Sequence, residues 1–315
     1  MKRSWKIFWS VLIGVPVAAF VLWGLWDNQR LFLITMLNGL TLGSLYFIVA
    51  AGFTLVFGLM RNVNLAHGSL YLVGGYLGFY TAQYTGSWLI ACAVGFAITA
   101  LIGLLMQISI FRFMPGQDLR QTMVTIGLSI VIADILMWIL GAQVHQLEPP
   151  PLLNGPIRGI PLINAYSSYR LALLPIGIAI GVALWFFLNR TRVGMMIRAG
   201  VDDRAMLSAA GVNVNLVFAT TFAIGAGLAG LGGVIGVVEL SMAPGEDTRL
   251  LLASLVVVIV GGMGSVVGAA LGATILGVAE TYGLAYAPTY SVVFTFVILV
   301  LVLAFRPRGM LGRPA

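Results

Sequence analysis

The chain alternates long apolar blocks with short interruptions of charge, glycine and proline. Apolar runs occupy residues 7–26 and 31–60, then about 69–85, 88–111, 122–141, 171–189, 214–240 and 290–305. Between the last two lies a glycine-rich stretch, 250–283, broken at Gly261-Gly262-Met263-Gly264. A helix rises about 1.5 Å per residue, so about 20 apolar residues cross the hydrocarbon core of a bilayer. The pattern predicts an all-α polytopic membrane protein with about 8–10 transmembrane or re-entrant helices in a single domain over residues 1–315. The 31–60 run is too long for one untilted span, so it and 250–283 each read either as one helix or as a broken pair. Residues 7–26 follow a basic start (Lys2, Arg3, Lys6) and end in Trp23 and Trp26 without a small-residue cleavage site. They read as a retained first helix, being long for a signal peptide.

Composition narrows the chemistry. Of 315 residues, 60% are hydrophobic, 9% are charged and 39 are glycine. Soluble domains carry roughly 25% charged residues and about 7% glycine, so this chain cannot cover a water-facing surface and soluble enzymes are excluded. Lysine occurs only at Lys2 and Lys6, which leaves no phosphate-binding Walker A loop and no Schiff-base lysine downstream. Cys92 is the single cysteine, which excludes intramolecular disulfides and thiolate zinc sites. His67 and His145 are too few for a histidine-rich metal centre. No cofactor or metal is expected.

The net charge of +7 would suggest nucleic acid in a soluble protein. Here its distribution has another meaning. With the N-terminus cytoplasmic, each span crossing once and 250–283 taken as a pair that returns to its own side, 13 of the 17 basic residues fall inside. Only Arg30, Arg158, Arg170 and Arg249 fall outside. That asymmetry follows the positive-inside rule and predicts that both termini are cytoplasmic, with the lipid bilayer and no nucleic acid as partner.

Small residues recur at four-residue spacing at Gly39/Gly43, Gly74/Gly78, Gly225/Ala229/Gly233 and Gly264/Gly268/Gly272. Such spacing lets helix backbones approach in lipid, where no hydrophobic effect drives them together. Ordinary bundle packing explains most of these sites. Gly261, Gly262 and Gly264 are the best candidates for an unwound hinge.

Three polar regions could carry function. The cytoplasmic loop 190–213 holds four arginines, including Arg198 and Arg204, and the pair Asp202-Asp203. Asp202 is placed to cap a short helix over 203–210 that Gly211 ends in the left-handed conformation, with Met206, Leu207 and Ala210 on one side. Such a helix fits the groove of a cytosolic partner; the plainer alternative is a solvated connector. The second region, Met60 to Tyr71, includes Arg61, Asn62, Asn64 and His67 between two apolar runs. It reads as a re-entrant turn or as an interfacial loop whose His67 bonds to backbone. Third, Asp134 sits within a span and should face a partner or a cavity, or be held by an interhelical hydrogen bond. Asn38, Thr41 and Ser44 add polar groups to an apolar helix, and Glu239 and Glu280 are expected near helix ends within reach of water. The candidate pathway is therefore Asn38, Ser44, Asn62, Asn64, His67 and Asp134. The outer loop 142–170, with Pro149-Pro150-Pro151, offers only a weak signal for a soluble partner.

These motifs, taken in order, resemble the permease subunit of branched-chain amino acid ABC importers, the H-type rather than its larger M-type companion. The resemblance rests on Asn38–Tyr46, Gly52–Met60, Asn64-Leu65-Ala66-His67-Gly68 and the Gly74-Gly75-Tyr76 run. In the second half it rests on Gly194–Ala199, Gly261–Ser265, Leu276–Glu280 and Phe305–Gly312. Where the family usually carries Glu after Ala-His-Gly, this chain has Ser69. The resemblance implies an H-type permease paired with a second, M-type permease, two cytosolic ATPase subunits and a periplasmic substrate-binding protein in a bacterial inner membrane. It implies that ATP is hydrolysed on another chain and that the coupling residues are Arg198, Asp202, Asp203, Arg204, Met206, Leu207 and Gly211. A stand-alone secondary transporter or channel for a small amino acid, or for an amide such as urea, is the alternative. Scarce intramembrane charge pairs argue against ion coupling in it. An intramembrane enzyme would need a nucleophile–base or metal constellation, and the sequence offers none.

Overall fold

The computed structural model describes residues 24, 26, 28–59, 64–159 and 163–312. The expected first helix therefore falls almost entirely outside the described residues, as does Asn62. Eleven α-helices account for most of the rest. Helix α1 (Gln29–Phe53) runs on into a widened π-helical segment, Thr54–Leu59. Then come α2 (His67–Thr85), α3 (Trp88–Ser109) and α4 (Asp118–Leu140). After a loop holding a two-stranded hairpin, β1 (Pro156–Ile157) and β2 (Tyr166–Ser167), the chain continues in α5 (Ser168–Arg190). Two short helices, α6 (Arg192–Asp202) and α7 (Arg204–Ala209), lead to α8 (Val214–Glu239). Helices α9 (Glu246–Gly261), α10 (Val266–Tyr286) and α11 (Ser291–Phe305) complete the bundle.

Local chemistry sets several of these starts. Asn28, Ser87, Ser167, Asn213 and Ser265 each accept a hydrogen bond from a backbone N–H of the first turn that has no partner within the helix. Among the described residues, six helices are long and apolar enough to span a membrane, by length and composition: 29–58, 88–113, 118–140, 168–190, 214–239 and 266–286. The two ambiguous stretches resolve differently. Residues 29–59 form one continuous rod, whereas 250–283 is a pair broken where Gly262 (φ 102°) and Gly264 (φ 79°) reverse the chain. An L side chain rarely adopts such φ values, so glycine is needed at that reversal.

Helices α1 and α8 form the axis of the bundle, with 78% and 83% of their apolar windows buried. Their glycines make this possible. A Cβ at Gly74 would overlap the backbone of Gly230, one at Gly52 the Gly225 carbonyl, and one at Gly233 the Tyr71 carbonyl. Gly39, Gly43 and Gly277 bring α1 and α10 into the same kind of backbone contact, and Gly261 and Gly268 do so for α9 and α10. The four-residue glycine spacing thus serves close packing.

Helices α2 and α9 both begin inside the bundle. The His67 ring at the start of α2 bonds to Val49, ten residues before the end of the 29–59 rod, or about 15 Å along its axis. Asp247, in the first turn of α9, lies with its carbonyl against Gly68. Such interior backbone ends are tolerated in a membrane only where protein surrounds them, and Asn64, Ala66 and His67 are fully buried.

Candidate functional site

The polar groups fall into four places. At the end of the bundle opposite the hairpin, α6 and α7 fold as a small helical pair against α5 and α8. Ile197 and Leu207 are buried in this contact, and Leu207 sits on Gly200. The Arg198 guanidinium donates to Asn189 Oδ1 at 2.8 Å, tying α6 to the end of α5. The cap is Asp203 rather than Asp202. Its Oδ1 accepts from Ala205 N (2.8 Å) and Met206 N (3.0 Å), and α7 runs over 204–209 instead of 203–210. Asp202 keeps helical backbone as the last residue of α6, which leaves its neighbour to take the extended cap conformation (φ −152°, ψ 106°). Gly211 has the expected left-handed φ of 81°. Met206 is 72% exposed and Met195 is 49% exposed, beside exposed Arg192 and Asp203. Arg204 opens α7.

At the hairpin end, Asn38 Oδ1 accepts from the Tyr166 hydroxyl (3.0 Å) and from Arg170 Nη1 (3.3 Å). Thr41 Oγ1 lies 3.4 Å from the same hydroxyl. Burial raises the Tyr166 phenol above its ordinary pKa, an effect that the Thr41 contact and the Arg170 charge partly offset. Arg170 Nε also pairs with Glu239 at 2.9 Å. A second group joins three helices: the Tyr46 hydroxyl donates to Glu280 (2.6 Å), and Arg249 pairs with Glu280 (2.9 Å) and Glu246 (3.4 Å). Glu239 ends its helix, and the Glu239 and Glu280 side chains keep only partial exposure, 8% and 16%. Removing a carboxylate from water is unfavourable unless a cation compensates, and each has an arginine.

The third place is the interior start of α2. His67 Nε2–H donates to the Val49 carbonyl (3.0 Å) and its ring meets Phe53 edge-on, while Asn64 Oδ1 accepts from Ala66 N (3.1 Å). His67 thus bonds to backbone, as the second of the two readings expected, and residues 60–63 of the turn lie outside the described residues. Fourth, Asp134 is exposed on α4 and lines a cavity of about 300 Å³ between α2, α4 and the start of α9. Ser44 bonds to its own helix at Leu40 and lines a different, largely apolar cavity of about 350 Å³ between α1, α5 and α10. The candidate pathway residues are thus dispersed among separate sites.

Comparison with known proteins decides what kind of bundle this is. The family model described as "Branched-chain amino acid transport system / permease component" matches residues 35–303. The chain belongs to that family. It is 32% identical over 302 residues to the high-affinity branched-chain amino acid transport system permease BraD of Pseudomonas aeruginosa, covering 90% of this chain and 96% of the relative. It is also 32% identical over 307 residues to the LivH permease of Salmonella typhimurium, with the same coverage. The ribose import permease RbsC of Escherichia coli is 28% identical over 73% of this chain and 71% of its own length.

Within this permease, sequence reasoning missed Tyr166, Arg170, Glu239, Tyr46 and Arg249 as interacting groups. Their partners lie far away in the chain, 128 residues for Tyr166 and Asn38 and 234 for Tyr46 and Glu280. One signal was present: two of the four arginines assigned outside, Arg170 and Arg249, needed anionic partners, and Glu239 and Glu280 were the available carboxylates.

Proposed function

We propose that this permease is the membrane-spanning subunit of an ATP-driven importer for branched-chain amino acids in a bacterial inner membrane. Its termini and the α6–α7 pair face the cytoplasm, and the 142–170 hairpin loop faces the periplasm. It works with a second, M-type permease, two cytosolic ATPase subunits and a periplasmic binding protein. Substrate released by the binding protein passes through the bundle, and hydrolysis takes place on the ATPase chains.

The observation that carries this reading is the α6–α7 pair. It is fixed to the bundle by Ile197, Leu207 and the Arg198–Asn189 bond, yet it presents Met195, Met206 and charged groups outward. An exposed apolar side chain on a rigid, capped helix is a surface that a partner's groove can hold and push. Gly261, Gly262 and Gly264 lie at the same end, since Gly58 at the end of the 29–59 rod packs on Gly264. Backbone N–H groups of Met310 and Leu311 donate to the carbonyls of Val260 and Gly261, so the C-terminal segment holds that turn. It serves as the hinge on which α9 and α10 respond.

Met206→Glu tests the reading, because it charges the exposed face without touching Leu207 or the Asp203 cap. The variant should assemble in the membrane, lose co-purification with the ATPase subunits and lose ATP-dependent leucine uptake at least tenfold. Normal ATPase association would sink this coupling surface. Uptake by the permease alone in liposomes, indifferent to ATP, would replace the importer with a stand-alone carrier.

A further inference from the structure

The acidic side chains of the bundle divide into two sets. Glu239, Glu246 and Glu280 are ion-paired with Arg170 or Arg249. Asp134 and Asp247 have neither an ion pair nor a side-chain hydrogen bond among the described residues, and both line the 300 Å³ cavity. Asp247 is the more telling of the two. The residue as a whole is only 7% exposed, it lines this cavity, and it has no ion-pair partner among the described residues. Among the described residues, no basic side chain lines the cavity. Two unpaired carboxylates that line one cavity favour a cationic occupant.

The rest of the wall defines the shape of that occupant. Tyr76, Ser129 and Thr248 add hydroxyl-bearing residues to the same lining. Leu72, Ile130, Leu136 and Met137 supply its apolar surface. Ser69 Oγ lies 2.8 Å from Ser129 Oγ and helps hold α4 against α2, keeping the two walls in register. The volume is at the small end of ligand pockets, suited to one small metabolite. His145, in the loop that pairs with Met242, lies edge-on to the ring of the lining residue Tyr76 at 5.5 Å.

We propose that this cavity is a substrate site within the permease, in which Asp134 and Asp247 bind the α-ammonium group of an amino acid whose aliphatic side chain lies on Leu72, Ile130, Leu136 and Met137. The site rests on the amino acid importer reading above and deepens it: the permease itself selects for a primary amine on an apolar chain. It does so after release from the binding protein.

The test uses the complete complex in proteoliposomes with its binding protein and ATP, and, separately, the detergent-purified complex without the binding protein. Radiolabelled leucine should bind the purified complex saturably. It should be displaced by 3-methylbutylamine, which keeps the amine, and not by 4-methylpentanoate, which keeps the carboxylate. Asp247→Asn and Asp134→Asn should each weaken binding and uptake at least tenfold, with assembly of the complex unchanged. Asp134→Asn guards against a folding artefact, because α4 is barely packed in the bundle and Asp134 is exposed. Wild-type leucine uptake that persists undiminished in both variants would overturn the site while leaving the importer reading intact. Displacement by 4-methylpentanoate, or by sodium alone in place of the amine, would overturn amine recognition. Absence of wild-type leucine uptake would overturn the importer reading and this site with it.

Discussion

Helices α8 and α4 are both apolar enough to span a bilayer, yet 83% of one apolar window is buried in the bundle and only 6% of the other. In water that contrast would be paradoxical, because apolar area drives burial. In lipid the apolar side chain gains nothing by leaving the surroundings, so what selects the buried helix is how closely another backbone can approach. Helix α8 carries Gly225, Gly227, Gly230, Gly232, Gly233 and Gly236, and α1, α2 and α3 press against them. Helix α4 has one glycine, Gly127, which meets no neighbour. It is held instead by polar contacts: Leu65 N donates to Thr125 (3.1 Å), and Ser69 joins Ser129. Close packing holds the centre, and hydrogen bonds attach the periphery.

Substitutions can test that contrast, and the largest effect is expected where backbones touch. Gly74→Leu would drive its side chain into the Gly230 backbone, which cannot move without shifting α8. Overpacking of this kind costs about 3 kcal/mol or more, and the expected outcome is loss of monodisperse protein on size-exclusion chromatography. A normal elution profile and melting temperature would show that α8 packing is far softer than described.

Next comes the charge at the end of α8. Arg170→Leu strands Glu239, whose side chain is 8% exposed, and should destabilise by about 2–3 kcal/mol, less than for a fully buried pair because Arg170 is 40% exposed. Thermal unfolding in detergent measures it. Glu239→Gln should cost less, since the remaining guanidinium can be hydrated. Equal losses in the two variants would mean that burial of Glu239 is not what matters.

The smallest effect belongs to α4. Ile135 is 49% exposed, and Ile135→Ala should change stability by less than about 0.5 kcal/mol while the same truncation at fully buried Ile48 of α1 costs about 2–5 kcal/mol. A large loss at Ile135 in the isolated permease would mean that α4 is packed more tightly than its exposure indicates.

The same division explains what could be read in advance. Span positions followed from apolar runs, and the glycine pairs were legible because a four-residue period places small residues on one helix face. The Gly261–Gly264 break and the left-handed Gly211 were legible because glycine reports backbone conformations other residues avoid. The capping residue was off by one, because two adjacent aspartates can each cap and only the length of α6 chooses between them. The candidate pathway was the least legible part. Asn38, His67 and Asp134 looked alike as isolated polar residues, yet one bonds across to Tyr166, one bonds to Val49, and one faces a cavity with Asp247.

The amino-acid sequence by itself determined that this is a polytopic helical membrane protein, where most of its helices run and which faces pack closely. These properties depend on composition and on periods of a few residues, and each helix satisfies its backbone hydrogen bonds internally wherever it sits. The tertiary structure decided which helices are central and where α2 and α9 begin inside the bundle. It also decided which carboxylates are paired and which line a cavity without an ion-pair partner. Those outcomes depend on groups separated by up to hundreds of residues, and charge compensation over a few ångströms has no signature along the chain.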